Sequence, residues 1–189
     1  HPVDGTLSGG QSDGQGIRAW GMFPMGMVVG QHGVPAFESS MDLLKAMTSR
    51  FSSEFDVRPF LIADQERALA IMNDWITDKN VHVRRLVSEG TRPRLPWGIQ
   101  LKALVADPTP VLPLLTALRD DPEEYVRRSV ANHLNDIAKD HPDLVATLAG
   151  DWMQGASRDR QRLIRHGCRT LIKAGHKKTL QVLGFGPPL

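Results

Sequence analysis

At 189 residues the chain has room for one ordinary domain or a short repeat array, and with 41% hydrophobic and 23% charged residues it is a folded protein, not a disordered one. Its 23 Lys and Arg against 21 Asp and Glu give a formal charge of +2, which identifies no partner by itself. The single cysteine, Cys168, excludes an internal disulfide and any cysteine-based zinc cluster, and no apolar run approaches the roughly 18 residues of a membrane span. No charged n-region leads into an apolar stretch, so no signal peptide is expected and the free thiol suits the cytoplasm.

Residues 1–16 include five glycines and few apolar side chains, which predicts a mobile or loosely packed lead-in. The chain begins with His1 rather than Met, which reads as a fragment or a processed end. Residues 17–33 are apolar but glycine-rich and predict a short irregular helix. Helical spacing then takes over. Ala36–Arg50 carries Met41, Leu43, Leu44 and Met47, and Ala63–Ile76 carries Ala68, Leu69, Ile71, Met72 and Trp75 behind Asp64 as N-cap. Further helices are predicted near 80–90, 97–106, 110–119, 122–140, 142–153, 158–174 and 176–183. No stretch alternates as a half-buried strand would, so the chain is read as all-α.

A repeat is visible. Val83-Arg84-Arg85 and Val126-Arg127-Arg128 lie 43 residues apart, each behind a polar turn. A period near 40 with two helices per unit predicts a HEAT-like or armadillo-like solenoid of antiparallel helix pairs over 17–189. In the second copy Val126, Val130, Leu134 and Ile137 form the core stripe, while Arg128, Asn132 and Asp136 share another face. Arg85 and Glu89 occupy the equivalent positions in the first copy, on the side that lines the concave surface of a curved solenoid. Charges four apart also form plain solvated ion pairs, and that reading stays open for Arg85–Glu89 and for Glu54–Arg58.

Three other features stand out. Ser88-Glu89-Gly90-Thr91-Arg92-Pro93-Arg94-Leu95-Pro96-Trp97 ends a helix and fixes a rigid loop, with Trp97 at the next helix start, either as a core plug or as an aromatic platform. Phe51, Phe55 and Phe60 would anchor a segment that holds Glu54 near the core. Arg162, Arg165, Arg169 and Lys173 step by 3, 4 and 4 along one helix face, either tracking phosphates or simply solvated. There is no GxSxG elbow, P-loop, dinucleotide fingerprint or HExxH, so neither a metal site nor a cofactor is expected.

The segments Val83–Trp97 and Tyr125–Pro142, with Trp20-Gly21-Met22 and Arg165–Phe185, resemble the AlkC branch of the AlkD-like DNA alkylation repair proteins over roughly 18–186. The resemblance implies a HEAT-like DNA glycosylase that removes N-alkylated bases such as 3-methyladenine, a monomer acting on double-stranded DNA. Carried over by motif, it implies Glu54, Glu89, Asp136 and Trp97 around the damaged nucleotide. Glu89 and Asp136 would face the deoxyribose and a water, Glu54 the cationic base, and Trp97 the lesion. Arg85, Arg92, Arg128, Asn132, Arg162, Arg165, Arg169 and Lys173 would meet the DNA. The lead-in departs from the helix that opens the family's fold, and an additional C-terminal domain of some relatives is expected to be absent. The rival readings are a non-catalytic solenoid that binds DNA and a protein-interaction scaffold. Neither needs the three carboxylates together.

Overall fold

The computed structural model describes residues 19–186; the expected lead-in at 1–16 lies outside them. Among the described residues every regular element is helical. They are α1 (Phe23–His32), α2 (Phe37–Met47), α3 (Arg58–Ala63), α4 (Gln65–Asp74), α5 (Val81–Gly90), α6 (Lys102–Ala106), α7 (Leu112–Leu118), α8 (Glu124–Ile137), α9 (Pro142–Met153), α10 (Arg158–Gly167), α11 (Arg169–Lys173) and α12 (Lys177–Val182). Short 3-10 turns at Ala19–Met22, Val34–Ala36 and Thr109–Val111 precede α1, α2 and α7.

Local chemistry sets several starts. Asp64 accepts the Arg67 amide at 3.1 Å, as expected, and Asn80 and Ser157 cap α5 and α10 the same way. Each such cap contributes about 1 kcal/mol. Two expectations change, and one helix is new. The helix placed at 97–106 begins only at Lys102, because Trp97 takes φ +61, which no α-helix contains. The helix placed at 158–174 breaks at Cys168. There the Thr170 amide turns to Asn135 Oδ1 (3.2 Å), and the Arg169 guanidinium takes His166 O (2.8 Å). Helix α3 shows no sequence period because it is six residues long and carries a buried arginine and a proline in its first turn.

Helix α8 packs between α5 and α10, and α7, α9 and α12 back that row. This is the layered α-helical repeat that the 43-residue spacing predicts. One hydrophobic cluster runs from Met22 to Leu183, and it contains the expected stripe of Val126, Val130, Leu134 and Ile137. The repeat also has a polar seam. Arg84 donates to Asp78 O at 2.9 Å and pairs with Asp121 at 2.7 Å. Its counterpart Arg127 donates to Pro122 O at 2.8 Å and pairs with Asp159 at 3.1 Å. The first arginine of each Val-Arg-Arg therefore ties its own helix start to the next repeat. The second, Arg85 or Arg128, projects elsewhere.

Candidate active site

The site forms where α5, α8, α1 and two loops converge. Glu54 sits in the turn before α3, Glu89 in the last turn of α5, Arg92 just beyond it, and Asp136 near the end of α8. They form one chain of alternating charge. Glu54 accepts from Ser52 Oγ at 2.7 Å and from Arg85. Arg85 also stands 3.4 Å from Glu89, with its guanidinium over the Tyr125 ring at 5.3 Å. Glu89 accepts from Arg92 Nη1 and from Ser129 Oγ, both at 2.6 Å. Arg92 Nε then reaches Asp136 at 2.8 Å, and Lys139 closes the chain on Asp136 at 3.1 Å. Arg92, Glu89 and Asp136 are buried, so these attractions act with little screening. Burial pushes the Glu89 carboxyl up, but Arg85, Arg92 and the Ser129 hydroxyl outweigh it and hold the group ionised, below its ordinary range.

The solvated i,i+4 pair weighed for Glu54 and Arg58 does not form. Arg58 is fully buried beneath the loop, and its guanidinium donates to Gly90 O at 3.0 Å, Arg92 O at 2.9 Å and Ile99 O. The loop closes on itself through Leu101 N–H to Pro93 O at 3.2 Å. Trp97 stands on top of it, 98% exposed. A tryptophan held at φ +61 costs about 1–2 kcal/mol, so the loop fixes this side chain outward against its own preference. The core-plug reading of Trp97 is thereby excluded.

Trp97 rims a cavity of about 640 Å³. Glu54, Glu89, Arg92 and Asp56 line it together with Trp20, Phe23, Phe51 and Phe55. Asp56 is a residue that the spacing did not single out. Asp136 lies behind Arg92, outside the lining. A second groove of about 310 Å³ runs between α8 and α10, bordered by Arg127, Arg128, Arg162 and His166 with Glu124 and Asp159. Arg128 and Arg162 are exposed at its border; Arg165 and Lys173 are exposed too, but outside its lining. Asn132 is half-buried and accepts from Arg169 at 3.2 Å. Arg85 and Arg92, expected at phosphates, instead hold carboxylates. Among the described residues no cluster of His, Cys, Asp or Glu is arranged for a metal, and no helix is long and apolar enough to cross a membrane.

His133 supports the site from below. It is fully buried, bonds Ser88 O through Nδ1 at 2.9 Å, and burial lowers its pKa to about 4. The unfolded chain binds a proton here near pH 6.5, whereas the folded chain binds it only near pH 4. Stability from this group is thus present above pH 6.5 and is lost as pH falls toward 4, by about 3 kcal/mol at most. Urea denaturation at pH 7 and pH 4.5 should show a smaller acid loss for His133→Gln than for the parent. Equal losses would place the acid sensitivity elsewhere.

The DNA alkylation repair enzyme family matches residues 47–158. The Bacillus subtilis (strain 168) protein YhaZ is 48% identical over 157 residues, which cover 83% of this chain and 44% of that protein. A solved structure of a Pseudomonas fluorescens alkylpurine DNA glycosylase, AlkC, bound to DNA containing an abasic site analogue, superposes with a TM-score of 0.82 at 44% identity. That match covers 86% of this chain and 45% of AlkC. The chain spans less than half the length of either relative. With the matched family segment running from the end of α2 to the start of α10, through Glu54, Glu89, Trp97 and Asp136, the chain belongs to the DNA alkylation repair enzymes.

Proposed function

We propose that the chain is a DNA glycosylase that hydrolyses the N-glycosidic bond of cationic alkylated bases, such as 3-methyladenine, in double-stranded DNA. The observation that carries this reading is the meeting of Glu54 and Glu89 at an aromatic-walled cavity under an exposed Trp97, in a chain that also has a groove bordered by arginines between α8 and α10. Acidic groups next to a polyanion oppose binding, so their presence calls for a positively charged target.

An N3- or N7-alkylated purine already carries positive charge. Its bond to the sugar is weakened and the base leaves without being protonated. What remains is to stabilise charge as the sugar becomes oxocarbenium-like and to place a water for attack. Glu89 and Asp136, bridged by Arg92, serve this step; the network holds Glu89 ionised and fixes the direction of both side chains. Glu54, fixed by Ser52 and Arg85, faces the base. Trp97 contacts the lesion through its ring face, worth roughly 0.5–2 kcal/mol against a cation. Arg128, Arg162, Arg165 and Lys173 meet phosphates, while Arg85 and Arg92 act on the carboxylates instead. The protein works as a monomer in the cytosol on this reading.

The test is release of methylated bases from alkylated duplex DNA. Glu89→Gln and Asp136→Asn, confirmed folded by circular dichroism, should each lose more than about tenfold in rate, at least 1.4 kcal/mol of barrier. DNA binding without any release by the parent chain would instead leave a non-catalytic DNA-binding solenoid.

A further inference from the structure

Asp56 borders the cavity with no partner for its charge among the described residues. It is 5% exposed, and while its amide donates to Ser53 O at 3.1 Å, its carboxylate receives no hydrogen bond. Helix α1 lies directly against it. A β-carbon on Gly26 would stand 2.2 Å from Asp56 Oδ2, and one on Gly30 would stand 3.1 Å from Asp56 O. Two glycines one turn apart therefore let α1 close over Asp56 while bringing it no donor.

The charged groups around Asp56 do not neutralise it. Glu54, on its own segment, adds repulsion. Across the cavity Arg92 is committed to Glu89 and Asp136. Arg58, two residues on, gives Nε and Nη1 to carbonyl oxygens, and its Nη2 has no partner, Asp56 included. His32, the titratable side chain of α1, is exposed and outside the cavity lining. The remaining walls are Trp20, Phe23, Phe51 and Phe55. Burial first, and Glu54 second, raise the Asp56 carboxyl to about 6. Asp56 is thus a mostly buried carboxylate with no donor of its own and its oxygens open to the cavity, which leaves it able to take a bound group.

We infer that Asp56 contacts the substrate: its carboxylate receives the positive charge of the lesion nucleotide, and the site discriminates for cations only while Asp56 is ionised. The inference rests on the glycosylase reading and adds a fourth carboxylate to it, one held without an arginine. Glu54 and Glu89 are already balanced by protein cations, so Asp56 carries the charge that the cavity leaves open. The aromatic walls suit a flat cation and keep water from screening it.

The test compares two duplexes at fixed ionic strength. One carries a pyrrolidine abasic analogue whose ring nitrogen stays protonated across the range; the other carries the neutral tetrahydrofuran analogue. Their affinities are measured by anisotropy at pH 5, 6 and 7.5. The ratio of the two cancels general effects of pH on DNA binding. In the parent chain the preference for the cationic duplex should rise by about fivefold to tenfold between pH 5 and 7.5. Asp56→Asn should show a flat, lower ratio while still binding the neutral duplex. A flat ratio in the parent chain overturns the inference, as does an unchanged profile in Asp56→Asn. Should the variant fail to fold, the parent profile still decides. Binding to neither duplex overturns the DNA reading, and the inference with it.

Discussion

Replacing Arg92 with methionine should destabilise the fold by about 3–5 kcal/mol, the usual cost of leaving buried charge unpaired. Arg92 lies between Glu89 and Asp136, donating at 2.6 and 2.8 Å, with all three side chains buried. Without it, Glu89 keeps Arg85 and Ser129, and Asp136 keeps the more exposed Lys139. Neither remaining set offers the two-sided bridge of a guanidinium. For a chain of this size the loss corresponds to a fall in Tm of roughly 6–20 °C. Arg92→Lys should recover little, since one ammonium cannot hold both carboxylates at once. The decisive comparison uses a Glu89→Gln, Asp136→Asn background. There the charges that Arg92 serves are gone, and the same Arg92→Met change should cost at least 1–2 kcal/mol less. Equal costs in both backgrounds would show that Arg92 stabilises through packing of its stem and not through the network.

The helix period made the acidic positions legible. Asp136 shares a face of α8 distinct from the Val126–Ile137 stripe, Glu89 holds the position on α5 equivalent to Asn132, and the structure brings both carboxylates to one arginine. The period could not say which arginines would meet solvent and which would meet carboxylates. Arg85 and Arg128 occupy the same repeat position, yet Arg85 is enclosed by Glu54, Glu89 and Tyr125, and Arg128 is exposed. That difference comes from the 48–57 turn, which covers the first repeat and has no counterpart over the second. Asp56 was hidden for a related reason. One carboxylate two residues beyond Glu54 carries no spacing signal, and only the closing of α1 on Gly26 and Gly30 isolates it.

The motif resemblance implies Trp97 at the site and the spacing predicts it as a helix start; in the structure it rims the cavity and starts no helix. Pro96 predicts a helix opening, but the chain at 97 adopts φ +61 and the helix waits until Lys102. A left-handed tryptophan persists only where surrounding bonds over-determine it. Here those bonds come from a residue remote in sequence, Arg58, for which the spacing left a pair with Glu54 open. Strain at Trp97 and an unpaired charge at Asp56 thus gather at the same cavity.

Arg58→Met should therefore act on the loop as well as on the core. The substitution leaves the carbonyls of Gly90, Arg92 and Ile99 short of a donor, at about 1–3 kcal/mol for each buried acceptor. Against this stands the relief of no longer burying a cation, whose pKa burial lowers to about 10 and which is still charged at neutral pH. The balance is a net loss of about 3–5 kcal/mol, of the same order as that expected for Arg92→Met. The signature that separates Arg58 from an ordinary core residue is local. With the clamp gone, Trp97 is free to leave φ +61, and the Leu101 N–H to Pro93 O bond loses its support. Native-state hydrogen exchange should show the Leu101 amide opening earlier than the amides of α8, whereas in the parent chain the two should be closer in protection. Arg58→Lys, reaching one or two of the three carbonyls, should fall between. If Leu101 keeps its protection in Arg58→Met while global stability drops, the loop holds itself, and the orientation of Trp97 belongs to Pro93, Pro96 and Gly98 instead of to the buried arginine beneath them.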